Sequence, residues 1–431
     1  MTKNYMAAYC EKYAEPMAKK IFMQFPEGTL FKHCLIIPAY KETPDFVTRL
    51  IDTTPLLSGN VLVIVIINQP ENSDKHQANQ DLWEAIESTG TLLYSGKDQY
   101  LVQSEKNKRI YFFPVNCFEG KQKIPCKNGV GLARKMGCDI ACGLINNGIV
   151  KTEWIHTTDA DAHLPEDYFR QTPTSAHYSA AVYRYQHHGV DKPLTRATRL
   201  YEQALHYYVE GLHYAGSPYA FQTLGSCIAI NTVFYAQARG FPKKAGGEDF
   251  YLLNKLAKLG CIKTLTGDKI ILESRASDRV PFGTGPAVKT IMALTTPQTD
   301  YCYYNPMVFE ELKSVLSHVP LLFSCIAEPQ QWLQAFSVPT QTALTEINVQ
   351  QLFNHLRKQA KTKEQCIRDS HHWLDAFKTL KFIHRLREYF PDIPLHHAIK
   401  SRFRTWTLTP SAFLGSVAID NRPHPEKNDQ D

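Results

Sequence analysis

The chain has 431 residues, 43% hydrophobic and 21% charged, a balance that excludes a disordered protein and leaves room for a large catalytic domain plus a smaller one. Its formal net charge of +6 is too weak to argue for nucleic acid but suits a phosphorylated substrate or an anionic membrane surface. Eleven cysteines without a C-x-x-C pair read as reduced thiols of a cytoplasmic protein rather than a disulfide framework or zinc site.

Residues 1–30 read as a helical leader, polar and without the apolar stretch of a secretory signal. From Lys32 the pattern changes to short apolar runs at His33–Ala39, Val61–Ile67, Ile110–Val115, Glu153–Thr158, Ala180–Tyr185 and Ser226–Asn231. Runs of this length predict strands buried on both faces. Val61–Ile67 is the longest, far short of a bilayer span, so any membrane contact is expected to be peripheral, on the inner face. Ala133, Met136, Ile140, Ala141 and Leu144 recur at helical spacing, and a second helix with a leucine stripe follows Gly246-Gly247. Alternating strands and helices predict an α/β domain over residues 31–286 with a mostly parallel sheet. A helical region is expected over 287–415 and a polar, disordered tail over 416–431.

Four segments carry candidate chemistry. Pro38-Ala39-Tyr40-Lys41-Glu42 closes the first strand, where the proline is expected to stop the ladder and bend the chain into a loop. Asp159-Ala160-Asp161-Ala162-His163 follows the strand containing Trp154 and Ile155. If that strand continued, residues 159, 161 and 163 would share a side-chain direction, and two carboxylates on one face suit a hard divalent cation; alone, the segment reads equally as a solvated acidic turn. Glu248-Asp249 opens the leucine-striped helix. Acids there are favoured by the helix dipole, and a carboxylate fixed at a helix end can also accept a proton from a hydroxyl. Arg275 and Arg279 precede a glycine-bracketed turn, read either as a lid over a phosphate group or as a linker.

In this order and spacing, these segments resemble the family 2 glycosyltransferases, whose fold is GT-A. The resemblance covers roughly residues 32–275 and includes Gly129–Arg134, which is similar to the family's G-x-x-x-A-R segment, and the stretch Gly225–Ile230. It implies a metal-dependent transferase moving a sugar from a UDP or GDP donor to a hydroxyl acceptor, either a sugar, a lipid or a small molecule, with Mn²⁺ or Mg²⁺ as cofactor. Pro38, Ala39, Tyr40 and Glu42 would line the nucleotide pocket, with Arg134 near the donor. Asp161 would coordinate the metal, and Asp159 the metal or ribose. Asp249 would be the base of an inverting reaction, and Glu248 would orient the acceptor.

The sequence departs from the family where acids usually contact the nucleotide base: here Asn68 stands at the end of the second strand. No histidine between His213 and His318 supplies the family's later metal ligand, which leaves His163 as a local candidate. The Arg275–Gly285 segment is also similar to loops of mannosylglycerate- and glucosyl-phosphoglycerate-type synthases, which implies retention as the alternative outcome. A sugar-nucleotide-binding protein without turnover is the non-enzymatic alternative. Tyr207, Tyr208, His213, Tyr214, Tyr219 and Phe221 form either an acceptor wall or ordinary helix packing.

Overall fold

Every residue of Val61–Asn68 is buried, as befits a run with no polar alternation. In chain order the strands are β1 (His33–Ala39), β2 (Val61–Asn68), β3 (Gly90–Ser95), β4 (Tyr100–Ser104), β5 (Ile110–Cys117), β6 (Trp154–Thr157), β7 (Ala162–His163), β8 (Tyr178–Val182), β9 (Tyr185–His188), β10 (Ile228–Asn231), β11 (Cys261–Thr264) and β12 (Ile270–Glu273), followed by the short pair β13 (Cys302–Tyr303) and β14 (Ile393–Pro394). This computed structural model describes residues 4–53, 59–74, 76–275 and 283–405. Among them, nine strands form one sheet in the order β11-β8-β10-β6-β1-β2-β5-β4-β3, and β7-β12-β9 form a smaller one.

The architecture is α/β, as expected, with a large mixed sheet. Its centre, β6-β1-β2-β5, is parallel. β10 runs antiparallel between β6 and β8, and a β3-β4 hairpin closes the other edge antiparallel. Pro38 does not end the first strand: it lies inside β1, in register with Ile66. The reason is local. The β6 ladder against β1 reaches only as far as Ile36, and Ile36 O accepts the Thr158 N–H at 3.0 Å. Two residues on, Pro38 faces the same side, where β6 has already left, so its missing N–H breaks no ladder bond.

The helices that matter for the site are α1 (Tyr5–Lys12), α2 (Pro16–Met23), α3 (Asp45–Thr53), α4 (Gln77–Glu87), α5 (Gly129–Asn146), α6 (Lys192–Tyr214), α7 (Thr232–Gln237) and α8 (Glu248–Leu256). The helices α1 and α2 pack on α5. A buried polar knot fixes them there. Asp139 of α5 accepts from Tyr9 Oη at 2.6 Å, Tyr235 Oη at 2.7 Å, Lys135 Nζ at 2.9 Å and the Glu15 N–H at 2.8 Å. A buried carboxylate with this many donors is fully hydrogen-bonded, although burial still outweighs them and raises its pKa.

The chain divides into two compact units. One runs through His206 and resumes from Phe221 to Tyr301; the other takes Tyr207–Ala220 and the described chain from Cys302. The helix α6 contributes to both units. The helices of the second unit include Met307–His318, Val349–Gln359 and Ala376–Leu386. The tail over 416–431 lies outside the described residues. No helix among the described residues is long and apolar enough to cross a membrane.

Candidate active site

Because β1, β2 and β6 run parallel, their carboxyl ends open on one side of the sheet, the usual place for a ligand in such folds. β10 begins on that same side, with Ile228 opposite Thr157.

The first wall follows β1 and β2. Pro38 and Ala39 are buried strand residues that back this wall, and Tyr40 stands half-buried at its rim. Lys41 has φ of 56°, a left-handed conformation uncommon outside glycine. It is held there by a bond from its N–H to Asn79 Oδ1 at 3.1 Å. Asn79 in turn donates to Gln69 Oε1 at 3.1 Å, and Asn68 Nδ2 donates to Ala39 O at 3.0 Å and Ile66 O at 3.2 Å. Three amide side chains thus set the loop. Asn68 was foreseen as a ligand contact; Gln69 and Asn79, both fully buried, were not. Asn79 is the polar member of the buried face of α4, and that break in the pattern was the available signal.

The acidic segment departs from expectation. β6 stops at Thr157, and the Ala162 N–H bonds Asp159 O at 3.1 Å, so residues 159–162 form a turn. The side chains of Asp159, Asp161 and His163 therefore do not share a strand face. Asp159 Oδ1 accepts from Arg134 Nη2 at 2.9 Å. Asp161 Oδ2 lies 3.7 Å from Arg275 Nε. His163 Nε2 lies 3.2 Å from Glu273 Oε1 on β12. Arg49 of α3, which sequence reasoning missed, braces the turn by donating to Ala160 O at 2.6 Å and to Glu273 Oε1 at 3.2 Å.

Arg275 is anchored on the donor-side loop. It donates to Glu42 Oε2 at 2.7 Å and to Glu273 Oε2 at 3.3 Å. Burial works against its charge, but Asp161, Glu42 and Glu273 outweigh this and hold its pKa above the ordinary arginine value. Glu42 is itself 8% exposed, so its carboxylate serves Arg275 rather than an open pocket. Arg279 lies outside the described residues.

Arg134, expected beside the donor, lies beneath the acidic turn with its side chain 3% exposed. Its guanidinium donates to Glu248 Oε1 at 3.0 Å, Thr157 Oγ1 at 2.8 Å, Gly225 O at 3.0 Å and Asp159 Oδ1 at 2.9 Å. The fork geometry of arginine makes four such partners possible. Glu248, expected to orient the acceptor, has its side chain 5% exposed and turned inward to Arg134.

Asp249 remains available. Gly247 ahead of α8 has φ of 69°, the left-handed turn that its sequence position suggested. Asp249 Oδ2 accepts the Gly225 N–H at 2.7 Å, and Oδ1 accepts the Phe250 N–H at 2.7 Å. Burial and the neighbouring Glu248 push its pKa up to about 7, against the lowering influence of the two N–H bonds and Arg134. Gly225 is a node that sequence reading located without a role: its N–H holds Asp249 and its C=O holds Arg134. Tyr201 of α6 is also missed by sequence. Burial raises its phenol pKa, and the charge of Asp249 raises it further.

The proposed aromatic acceptor wall dissolves into packing. Tyr207 is fully buried and donates to Tyr304 O at 3.0 Å. Tyr219 donates to His371 O at 3.1 Å, and Tyr214 to Glu310 Oε2 at 2.8 Å. Phe221 is 6% exposed.

Among the described residues, no three carboxylate, imidazole or thiolate groups gather around one metal position. A cation held by one or two carboxylates and completed by substrate phosphates needs no such cage. Asp161, with its side chain 26% exposed at the mouth, fits that lesser requirement.

Gly131 ties α5 to the approach of the acid pair. Its N–H bonds Lys244 O at 3.0 Å, and a Cβ there would lie 2.5 Å from Lys244 O and 2.6 Å from Pro242 O. Glycine to alanine in a helix ordinarily gains about 1 kcal/mol; two backbone oxygens at this range reverse the sign, since overpacking costs ~1–3 kcal/mol. Gly131→Ala is expected to lower Tm in a thermal melt, and an unchanged or raised Tm would contradict this packing.

No protein-family model matches the chain, and no curated protein sequence matches it. Among solved structures, it is similar to mannosyltransferase PcManGT from Pyrobaculum calidifontis in complex with GDP-Man and Mn²⁺, at 15% identity and TM-score 0.36, covering 85% of this chain and 93% of that one. It is also similar to glucosyl-3-phosphoglycerate synthase from Mycobacterium tuberculosis in complex with Mn²⁺, UDP and phosphoglyceric acid, at 11% identity and TM-score 0.31, covering 64% and 84%. At these TM-scores the overlap is too loose to carry an activity across.

Proposed function

We propose that the chain is a glycosyltransferase on a GT-A fold, moving a sugar from a nucleoside-diphosphate donor, UDP- or GDP-linked, to an acceptor hydroxyl with inversion. The observation that carries this reading is the meeting of the acidic turn and the Glu248-Asp249 pair at one sheet mouth: Arg134 bonds Asp159 and Glu248, and Gly225 links it to Asp249.

On the donor side, Tyr40 and the loop held by Asn68 and Asn79 receive the nucleotide. Asn68 Oδ1 makes no hydrogen bond among the described residues, which suits it to a donor group on the nucleotide. Arg275, on the rim, pairs with the diphosphate. Asp161 would hold a Mn²⁺ or Mg²⁺ ion jointly with diphosphate oxygens, and that ion would supply positive charge opposite the departing leaving group. On the acceptor side, Asp249 takes the hydroxyl proton through whichever oxygen the acceptor approaches, while the Gly225 and Phe250 N–H groups fix its plane. A carboxyl with a pKa of about 7 is well matched to that task at neutral pH.

The test is a thermal-shift screen of UDP, GDP and their sugars with and without Mn²⁺. A donor present at roughly 100 Kd stabilises by about 2.7 kcal/mol and raises Tm. Asp161→Ala is expected to keep the metal-independent part of the shift and lose the Mn²⁺-dependent part. A variant that kept both would remove Asp161 from the metal role.

A further inference from the structure

We propose that Arg134 is a positioning residue that divides one positive charge between the two halves of the site, so that positive charge arriving at Asp159 with the donor releases Arg134 toward Asp249 and readies the base for the acceptor. This rests on the transferase reading of the site.

The geometry leaves Arg134 little choice of partners. It is 3% exposed and holds Asp159 on one side and Glu248 on the other, at 2.9 and 3.0 Å. Asp159, with its side chain 40% exposed, is the partner that solvent and ligand can reach. Asp249 accepts the N–H groups of Gly225 and Phe250, and the charged and titratable groups that act on it are Glu248, Arg134 and Tyr201. Of these, Arg134 is the cation, and Gly225 couples the two mechanically, since its C=O accepts from Arg134 while its N–H donates to Asp249. When the charge of Asp159 is cancelled, the guanidinium is shared among fewer anions, and ionised Asp249 is better compensated.

Asp159→Asn reproduces that cancellation without a ligand, because the amide oxygen still accepts from Arg134. Titration of the ligand-free protein, with Asp carboxyl carbons labelled for NMR and the Asp249 signal assigned by its loss in Asp249→Asn, reads the effect directly. The Asp249 midpoint is expected to fall by about one pH unit in Asp159→Asn. Asp161→Asn removes the same charge two residues on without touching Arg134, and is expected to move the midpoint by less than about half as much. A midpoint that stays or rises in Asp159→Asn, or equal shifts in the two variants, overturns the proposal. Failure of wild type to bind or transfer any nucleotide sugar would refute the transferase reading instead, and leave the titration result standing.

Discussion

Asp249→Asn is expected to bind the nucleotide-sugar donor within about tenfold of wild type at neutral pH and to lose transfer by roughly 10²–10⁴-fold, the usual worth of a positioned proton acceptor. Asparagine keeps the size and plane of the carboxylate, and one oxygen to meet a backbone N–H, but cannot take a proton at neutral pH. Donor binding is largely kept because Asp249, in the first turn of α8, shares no hydrogen bond with the β1 and β2 loops among the described residues. The wild-type pH profile follows from the same environment. Burial and Glu248 raise the Asp249 pKa to about 7, and the base acts only when ionised, so kcat/KM should rise with pH through about 7 and level off above it. In Asp249→Asn the residual rate should lack that limb. The measurement is donor-dependent product formation across pH 5–9, a window of about two units on either side of the wild-type midpoint. Wild-type turnover by the variant would remove Asp249 as the base.

Elements were legible in the sequence where burial imposes a pattern. The unbroken apolar run of Val61–Ile67 gave β2, and the helical recurrence from Ala133 to Leu144 gave most of α5, whose residues from Gly131 to Leu144 are buried. Direction was not legible: an isolated apolar run such as Ile228–Asn231 does not say whether it pairs parallel or antiparallel, and β10 pairs antiparallel on both sides. The β3 strand escaped notice because most of Gly90–Ser95 is exposed, so its pattern is not that of a core strand. The candidate acids were legible as short motifs, but their partners were not. Arg134 lies 114 residues from Glu248 and 25 from Asp159, and Arg275 lies 233 from Glu42. Which acid a buried arginine neutralises is decided by where the sheet returns the chain, not by spacing. That is why Glu248 read as an acceptor contact and Arg134 as a donor contact, with nothing in the spacing to show that one buried guanidinium bonds both Glu248 and Asp159.

Arg134→Met is expected to be the most destabilising single change at the site, at about 3–5 kcal/mol, the range for removing one partner of a buried ion pair. Methionine fills much of the same volume, so the loss is electrostatic rather than a cavity. Glu248, its side chain 5% exposed, is left as an uncompensated buried carboxylate, and the Thr157 hydroxyl and Gly225 carbonyl lose the donors that met them at 2.8 and 3.0 Å. Asp159, at 40% exposure, contributes little to the cost because water can replace its partner. The decisive comparison is therefore the double variant Arg134→Met with Glu248→Gln. Removing both charges should restore a large part of the lost stability, giving a coupling of more than about 1 kcal/mol in a double-mutant cycle. Calorimetric melts of the four proteins measure it. If Arg134→Met melts with wild type, or if the second substitution adds its own loss without coupling, the guanidinium is not what holds the acid pair in place.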